Sequence, residues 1–175
     1  IINNFNTAAF NGAATPRGIR CALQDDPATG GALAITKEGP GIQPIGTYSG
    51  DGTPLPNNYH GDTTVNDGIL EIVSTAGISP NSAYRLNTPG VLQLDYSGTA
   101  EVKQLFVNGL QKANGIYGAA QFPGIITGDG TITVTGATGL DNTWNNGSGN
   151  FTWNTTSANW TSPTIWNQGD SAIFG

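Results

Sequence analysis

The stretch that most restricts how this chain can fold is 58–73, Asn-Tyr-His-Gly-Asp-Thr-Thr-Val-Asn-Asp-Gly-Ile-Leu-Glu-Ile-Val. A polar, turn-rich lead opens into a short strand, Thr63–Val65. An Asn-Asp-Gly turn follows at Asn66–Gly68, then a second strand, Ile69–Val73. Side chains alternate along an extended chain, so Ile69, Glu71 and Val73 share one face and Leu70 and Ile72 the other. Strand, tight corner, strand is the pattern of β-coils stacked on one another, an arrangement suited to making a shape.

The same pattern recurs on both sides. Upstream, Ala32–Thr36 alternates as a strand, Lys37–Gly41 forms a turn, and Ile42–Tyr48 is the next strand, with Pro44 marking an unpaired edge. Ser49–Asn58 is a Gly/Pro/Asn loop. Downstream, Ala83–Leu86 is a short strand, Asn87–Gly90 a turn, and Val91–Tyr96 a strand. Leu92, Leu94 and Tyr96 face one way; Val91, Gln93 and Asp95 face the other. From Ile69 to Val91 is about twenty residues, the length of one solenoid coil. Val102–Val107 then runs into Asn108-Gly109 and out through Leu110. Asn-Gly between apolar runs predicts a two-residue hairpin, because a type I′ turn needs φ > 0 at both central residues. Thr131–Thr135 is a last alternating strand, with Ile132 and Val134 inward. Ahead of all this, Ile1-Ile2, Ala8–Phe10 and Ile19–Leu23 are short strand candidates, and Gln24–Gly31 is a loop.

Composition removes whole classes of function. Charged residues are 10% of the 175, and the net charge is −6. Phosphate backbones and anionic membranes are poor partners for such a chain, so neither nucleic acid nor a membrane surface is expected. No apolar run reaches the ~18–20 residues of a membrane helix. Ile1 opens neither a signal peptide nor an initiator methionine, which is the expectation for a processed or partial product. Cys21 has no second cysteine to pair with inside the chain. It is read as a small buried apolar residue, with an intermolecular bridge as the alternative.

Several elements together carry a resemblance. Leu92–Leu94, the Asn108-Gly109 hairpin, the Gly115–Gly118 step (Gly-Ile-Tyr-Gly) and the closing Gly128–Val134 strand follow one another in order. That series resembles the autotransporter-associated β-strand repeat of large secreted bacterial surface proteins. The resemblance spans about 32–175. It implies an all-β fold: a short right-handed β-solenoid-like stack with a hairpin-rich end and a Trp-rich β tail. It divides the chain into an N-terminal strand and loop segment, 1–31, a β-repeat body, 32–136, and a tail, 137–175, like the opening of a following module. It implies an extracellular or bacterial cell-surface structural protein and supplies no catalytic residues. With no charged or helical cap at either terminus, the stack is expected to join copies of itself head to tail into a filament or surface layer. An adhesin or carbohydrate-binding module of a giant surface protein is the alternative, with extracellular glycans as partners.

All four tryptophans lie within 141–175, among Asn, Thr and Ser. Trp144, Phe151, Trp153, Trp160, Trp166, Ile173 and Phe174 are the expected subunit interface, because large rings bury the most area per residue. A sugar-stacking platform is the competing reading of the same tryptophans. Four Asn-x-Ser/Thr sequons, at Asn146, Asn150, Asn154 and Asn159, mark this segment as polar and surface-tolerant.

Conventional chemistry is thinly represented. His60 is the only histidine, with Asp62 as its nearest orienting acid, and no nucleophile motif accompanies it. Glu71 and Asp95 lie on successive strands and are placed to stack on one face, where a polysaccharide-cleaving enzyme needs two or three converging acids. No catalytic residue and no dedicated metal site is assigned, and no cofactor is expected. Calcium is the one ion the Asp-bearing, Gly-rich loops suit, at Asp25-Asp26, Asp51, Asp62, Asp67 and Asp129.

Overall fold

Among the described residues no strand runs past four residues, and Gly or Asn corners end many of them, as at Gly39, Gly46, Asn66, Asn87 and Asn108. The structure, a computed structural model, describes residues 2–3, 19, 22–46, 56–137, 141–154, 156–160 and 171–173. Ala8–Phe10, Cys21, Asp51, Trp166 and Phe174 lie outside the described residues. Within them the chain is all-β and has no α-helix. The strands are β1 (Ile2–Asn3), β2 (Ile35–Glu38), β3 (Ile42–Ile45), β4 (Thr63–Val65) and β5 (Ile69–Ile72). Next come β6 (Ala83–Leu86), β7 (Val91–Leu94), β8 (Thr99–Val102), β9 (Gln104–Val107) and β10 (Leu110–Gln111). The last five are β11 (Gly115–Tyr117), β12 (Ile126–Thr127), β13 (Thr131–Val134), β14 (Asp141–Thr143) and β15 (Ser171–Ile173). A single 3₁₀ turn occupies Thr75–Gly77.

Successive strands return in parallel, one over another. The first sheet has the order β1-β2-β4-β6-β9-β10, parallel as far as β9. The second, β12-β7-β5-β3, is parallel throughout. A third pairs β8 with β13 in parallel and adds β11 antiparallel to β13. Register aligns inward residues with inward residues. Thr63, Tyr84 and Leu105 are vertical neighbours at steps of 21 residues, as are Val65, Leu86 and Val107. Leu70, Leu92 and Ile126 form a matching row in the second sheet, and Ala100–Ile132 and Val102–Val134 do so in the third. These inward rows are the core, with Leu70, Leu86, Leu92, Leu94, Leu105 and Ile132 wholly removed from solvent. The alternation read for β5, β7 and β13 is the one observed: Ile69, Glu71, Val91 and Gln93 point outward and remain half-buried.

The corners after β4, β6 and β9 carry an asparagine amide ladder. Asn66 Nδ2 donates to Glu38 Oε1 (2.6 Å), Asn87 Nδ2 donates to Asn66 Oδ1 (2.8 Å), and Asn108 Oδ1 accepts from the Thr88 N–H (2.9 Å). Their backbone N–H groups bond the carbonyls of Lys37, Val65 and Leu86 on the strand beneath. Asn108 (φ 50) and Gly109 (φ 81) are both left-handed, and Leu110 pairs with Val107, so the hairpin expected there is present.

Several boundaries differ from the sequence reading. Val102–Val107 is two strands, because the chain turns at Lys103 out of the third sheet and into the first. There the Lys103 N–H bonds Ser82 O (3.2 Å). The first body strand is Ile35–Glu38, not Ala32–Thr36. Lys37, read as a turn residue, points inward in register with Val65. In β3, Pro44 lies on the terminal strand of its sheet, but the edge read as unpaired there is met by Ile19, which bridges in parallel to Ile45 and donates its N–H to Pro44 O (3.0 Å). On the far side, two antiparallel strands, β10 and β11, lie over the parallel stack.

Candidate functional site

The tail is built around Trp160 and Asn159. β14 pairs in parallel with β15, and Trp144 bridges antiparallel to Trp160. Trp160 is buried. The Trp144 and Trp153 rings meet it edge-on, at centroid distances of 5.2 Å and 5.4 Å. Asn159, equally buried, has its side chain fully engaged. Its Oδ1 accepts from Ser148 N and Oγ, and its Nδ2 donates to Asn150 Oδ1 (2.7 Å) and Thr152 O (2.8 Å). Trp160 is absent from the body's core cluster, so the aromatics make a separate small core. Of the expected interface residues, Trp144, Trp153 and Trp160 therefore come together. Phe151 stands apart at 80% exposure, and Trp153 keeps 50% of its surface in solvent. Ile173 is in β15. Of the sequons, the buried Asn159 has no free amide to present.

His60 is oriented by a different acid from the one expected. Its Nδ1 lies 2.7 Å from Asp25 Oδ2, while Asp62 accepts from Arg85 Nε at 2.6 Å. The reason is backbone geometry: Asp25 Oδ1 also accepts from the N–H groups of His60 (3.0 Å) and Leu33 (2.9 Å), which brings the 22–33 loop onto the turn before β4. Those two N–H bonds are the main cause of a lowered Asp25 carboxyl pKa. The Arg85 guanidinium in turn lies 4.0 Å over the Phe106 ring, its neighbour in register on β9.

Glu71 and Asp95 do meet on the outer face of the second sheet. Burial, followed by the adjacent Asp95 carboxylate, raises the Glu71 carboxyl, and Gln93 Nε2 donates to Asp95 Oδ2 at 2.7 Å. No group of three or more His, Cys, Asp or Glu side chains gathers among the described residues. Of the loop aspartates proposed for calcium, Asp25 and Asp62 hold His60 and Arg85, and two others make local bonds. Asp26 holds Thr29 Oγ1 and the Ala28 N–H, and Asp67 accepts from the Gly68 N–H.

Two features had no forecast. Lys37 is shielded from water by a thin layer of turn backbone, and its Nζ donates to the carbonyls of Glu38, Gly39 and Asp67. Burial lowers its pKa, against the opposing pull of Asp67 and Glu38. A polar chain also crosses the core: Tyr59 Oη lies 2.7 Å from Thr63 Oγ1, which lies 2.9 Å from Ser82 Oγ. The Tyr84 hydroxyl is near enough to Tyr59 and Thr63 to be influenced by them, yet no contact of hydrogen-bond geometry reaches it among the described residues. A lysine beside Glu-Gly-Pro has the composition of a surface turn, so no local signal in the sequence marks it as buried.

No protein-family model, curated protein or solved structure matches the chain.

Proposed function

We propose that the chain is a structural module: a short, right-handed β-solenoid-like stack, secreted to a bacterial surface, that joins copies of itself end to end in a filament or surface layer. The observation that carries this reading is the 21-residue vertical register of buried residues, above all the aliphatic row from Val65 through Leu86 to Val107. A stack of that kind grows by adding coils, and its terminal strands are templates for another chain. On the far side, those strands also present apolar side chains. Leu110 on β10 is 67% exposed and Ile116 on β11 is 60% exposed. Neither contributes to the chain's own core.

The test is sedimentation velocity across a concentration series, with negative-stain images of the same samples. The full chain should form elongated oligomers as concentration rises, and the Leu110→Lys/Ile116→Lys double variant should remain monomeric with unchanged circular dichroism. A wild-type chain that stays monomeric at every concentration would sink the proposal.

A further inference from the structure

We propose that the loop at 150–154 is a binding platform for neutral glycans, with Phe151 and Trp153 stacking on the apolar faces of sugar rings. The inference begins with where the aromatic area lies. Trp144, Trp153 and Trp160 pack together in the tail's own core, but Trp153 still keeps 50% of its surface in solvent and Phe151 keeps 80%. Two residues apart, their α-carbons are separated by at most about 7 Å, which places both rings within reach of one short oligosaccharide.

The loop that carries them is held firmly. Phe151 N–H donates to Asn146 Oδ1 (2.9 Å), Thr152 N–H donates to Asn150 Oδ1 (2.9 Å), and Thr152 O accepts from the buried Asn159. Trp153 is braced edge-on against Trp160. Ligand-stacking rings bind best when ordered beforehand, since little conformational freedom is then lost on binding. Phe151 is also strained: its φ is 54, a left-handed conformation that bulky side chains rarely adopt. A phenylalanine held in strain while its ring lies in water adds nothing to the core, and such outliers gather where a surface has work to do.

The chemistry around the rings selects the ligand. The only charged residues in 141–175 are Asp141 and Asp170, so the tail has no lysine or arginine for a phosphate, a sulfate or an acidic lipid. The groups flanking the rings are amides. The loop uses the Asn146 and Asn154 side-chain carbonyls, which leaves their NH₂ ends as donors toward a polyhydroxylated ligand. Aromatic faces with neutral hydrogen-bonding groups fit the alternating CH and OH surfaces of an uncharged sugar.

The experiment uses the full chain with cellohexaose, chitohexaose and laminarihexaose, read by calorimetry and tryptophan fluorescence. At least one hexasaccharide should bind and shift the fluorescence. Phe151→Gly and Trp153→Ala should each weaken that binding about tenfold or more, as loss of a stacking anchor does. Phe151→Gly also relieves the strain, so binding should fall while the tail melts no earlier; this separates a lost ligand contact from a lost fold. Failure of all three sugars to bind would overturn the proposal, as would binding that both variants leave intact. So would capture of phosphatidylcholine vesicles in place of sugars. The Leu110→Lys/Ile116→Lys variant should bind sugar like the wild type, which keeps this result independent of the assembly result.

Discussion

Glu71 and Asp25 are carboxylates on the outside of the same stack, and their surroundings push them in opposite directions. Glu71 is raised by burial and by Asp95. Between the ordinary glutamate value, about 4.3, and its folded value, the native state holds a proton that the unfolded chain has released. Stability therefore falls as pH rises through that interval, and the loss persists at neutral pH. Asp25 is lowered, chiefly by the His60 and Leu33 N–H groups. Its contribution is complete above about pH 3.9 and disappears as pH falls through the folded value. Glu71→Gln should thus raise the melting temperature at pH 7 and lose that advantage near the acid end. Asp25→Asn should flatten the acid decline without helping at pH 7. Thermal melts from pH 2.5 to pH 8, about the span of carboxylate titration, would check both signs; equal shifts at every pH would refute them. Lys37 shows a third way to hold a charge. Its ammonium takes the place of an aliphatic in an inward row because three turn carbonyls accept from it. A Cβ at Gly68, whose φ is 64, would stand 2.7 Å from that nitrogen and closer still to the Gly39 and Gly41 carbonyls.

Among the elements, the hairpin between β9 and β10 isolates backbone conformation from packing. Gly109 has φ 81, and a Cβ there would meet nothing within 4 Å. Any effect of Gly109→Val must therefore come from forcing a β-branched residue into left-handed backbone, about 1–3 kcal/mol. Gly109→Asn, which tolerates that region, should cost well under half as much. Urea unfolding of the pair would decide the matter, and equal losses would mean that the turn's φ is not what matters. This hairpin was legible because Asn-Gly between apolar runs leaves the chain little choice. β4 and the inward faces of β5, β7 and β13 were legible because strict alternation with a single buried face fixes them; β6, in which Ala83 and Tyr84 are both buried, was legible from its bounding turns instead. β8 was not: Ser97-Gly98 precedes it and Glu101 interrupts it, so its pairing with β13 depends on a partner 32 residues away. The amide ladder was half-visible. Asn66, Asn87 and Asn108 recur every 21 residues, but only the stacked corners reveal that Asn87 bonds Asn66. The Asp25–His60 contact spans 35 residues through an irregular loop, and no local pattern announces it.

At the scale of the whole molecule, two cores have been built from different materials. The body's core is aliphatic and tyrosine-based, running from Ile35 to Val134, with Ala137 as the last residue packed against it. The tail's core is tryptophan on asparagine, gathered about Trp160 and Asn159. Since all four tryptophans lie within 141–175, tryptophan fluorescence reports on the tail, while far-ultraviolet circular dichroism is dominated by the strands of the body. If the cores are energetically separate, the two signals should not melt together. Leu70→Ala removes a wholly buried side chain from the middle of the aliphatic rows and should destabilise the body by about 2–5 kcal/mol. The dichroism transition should move down and the fluorescence transition stay in place. Trp160→Ala should do the reverse, unfolding the tail while the stack keeps its melting temperature. Coincident transitions in the wild type, shifted equally by both substitutions, would instead show a single cooperative unit in which the tail completes the stack.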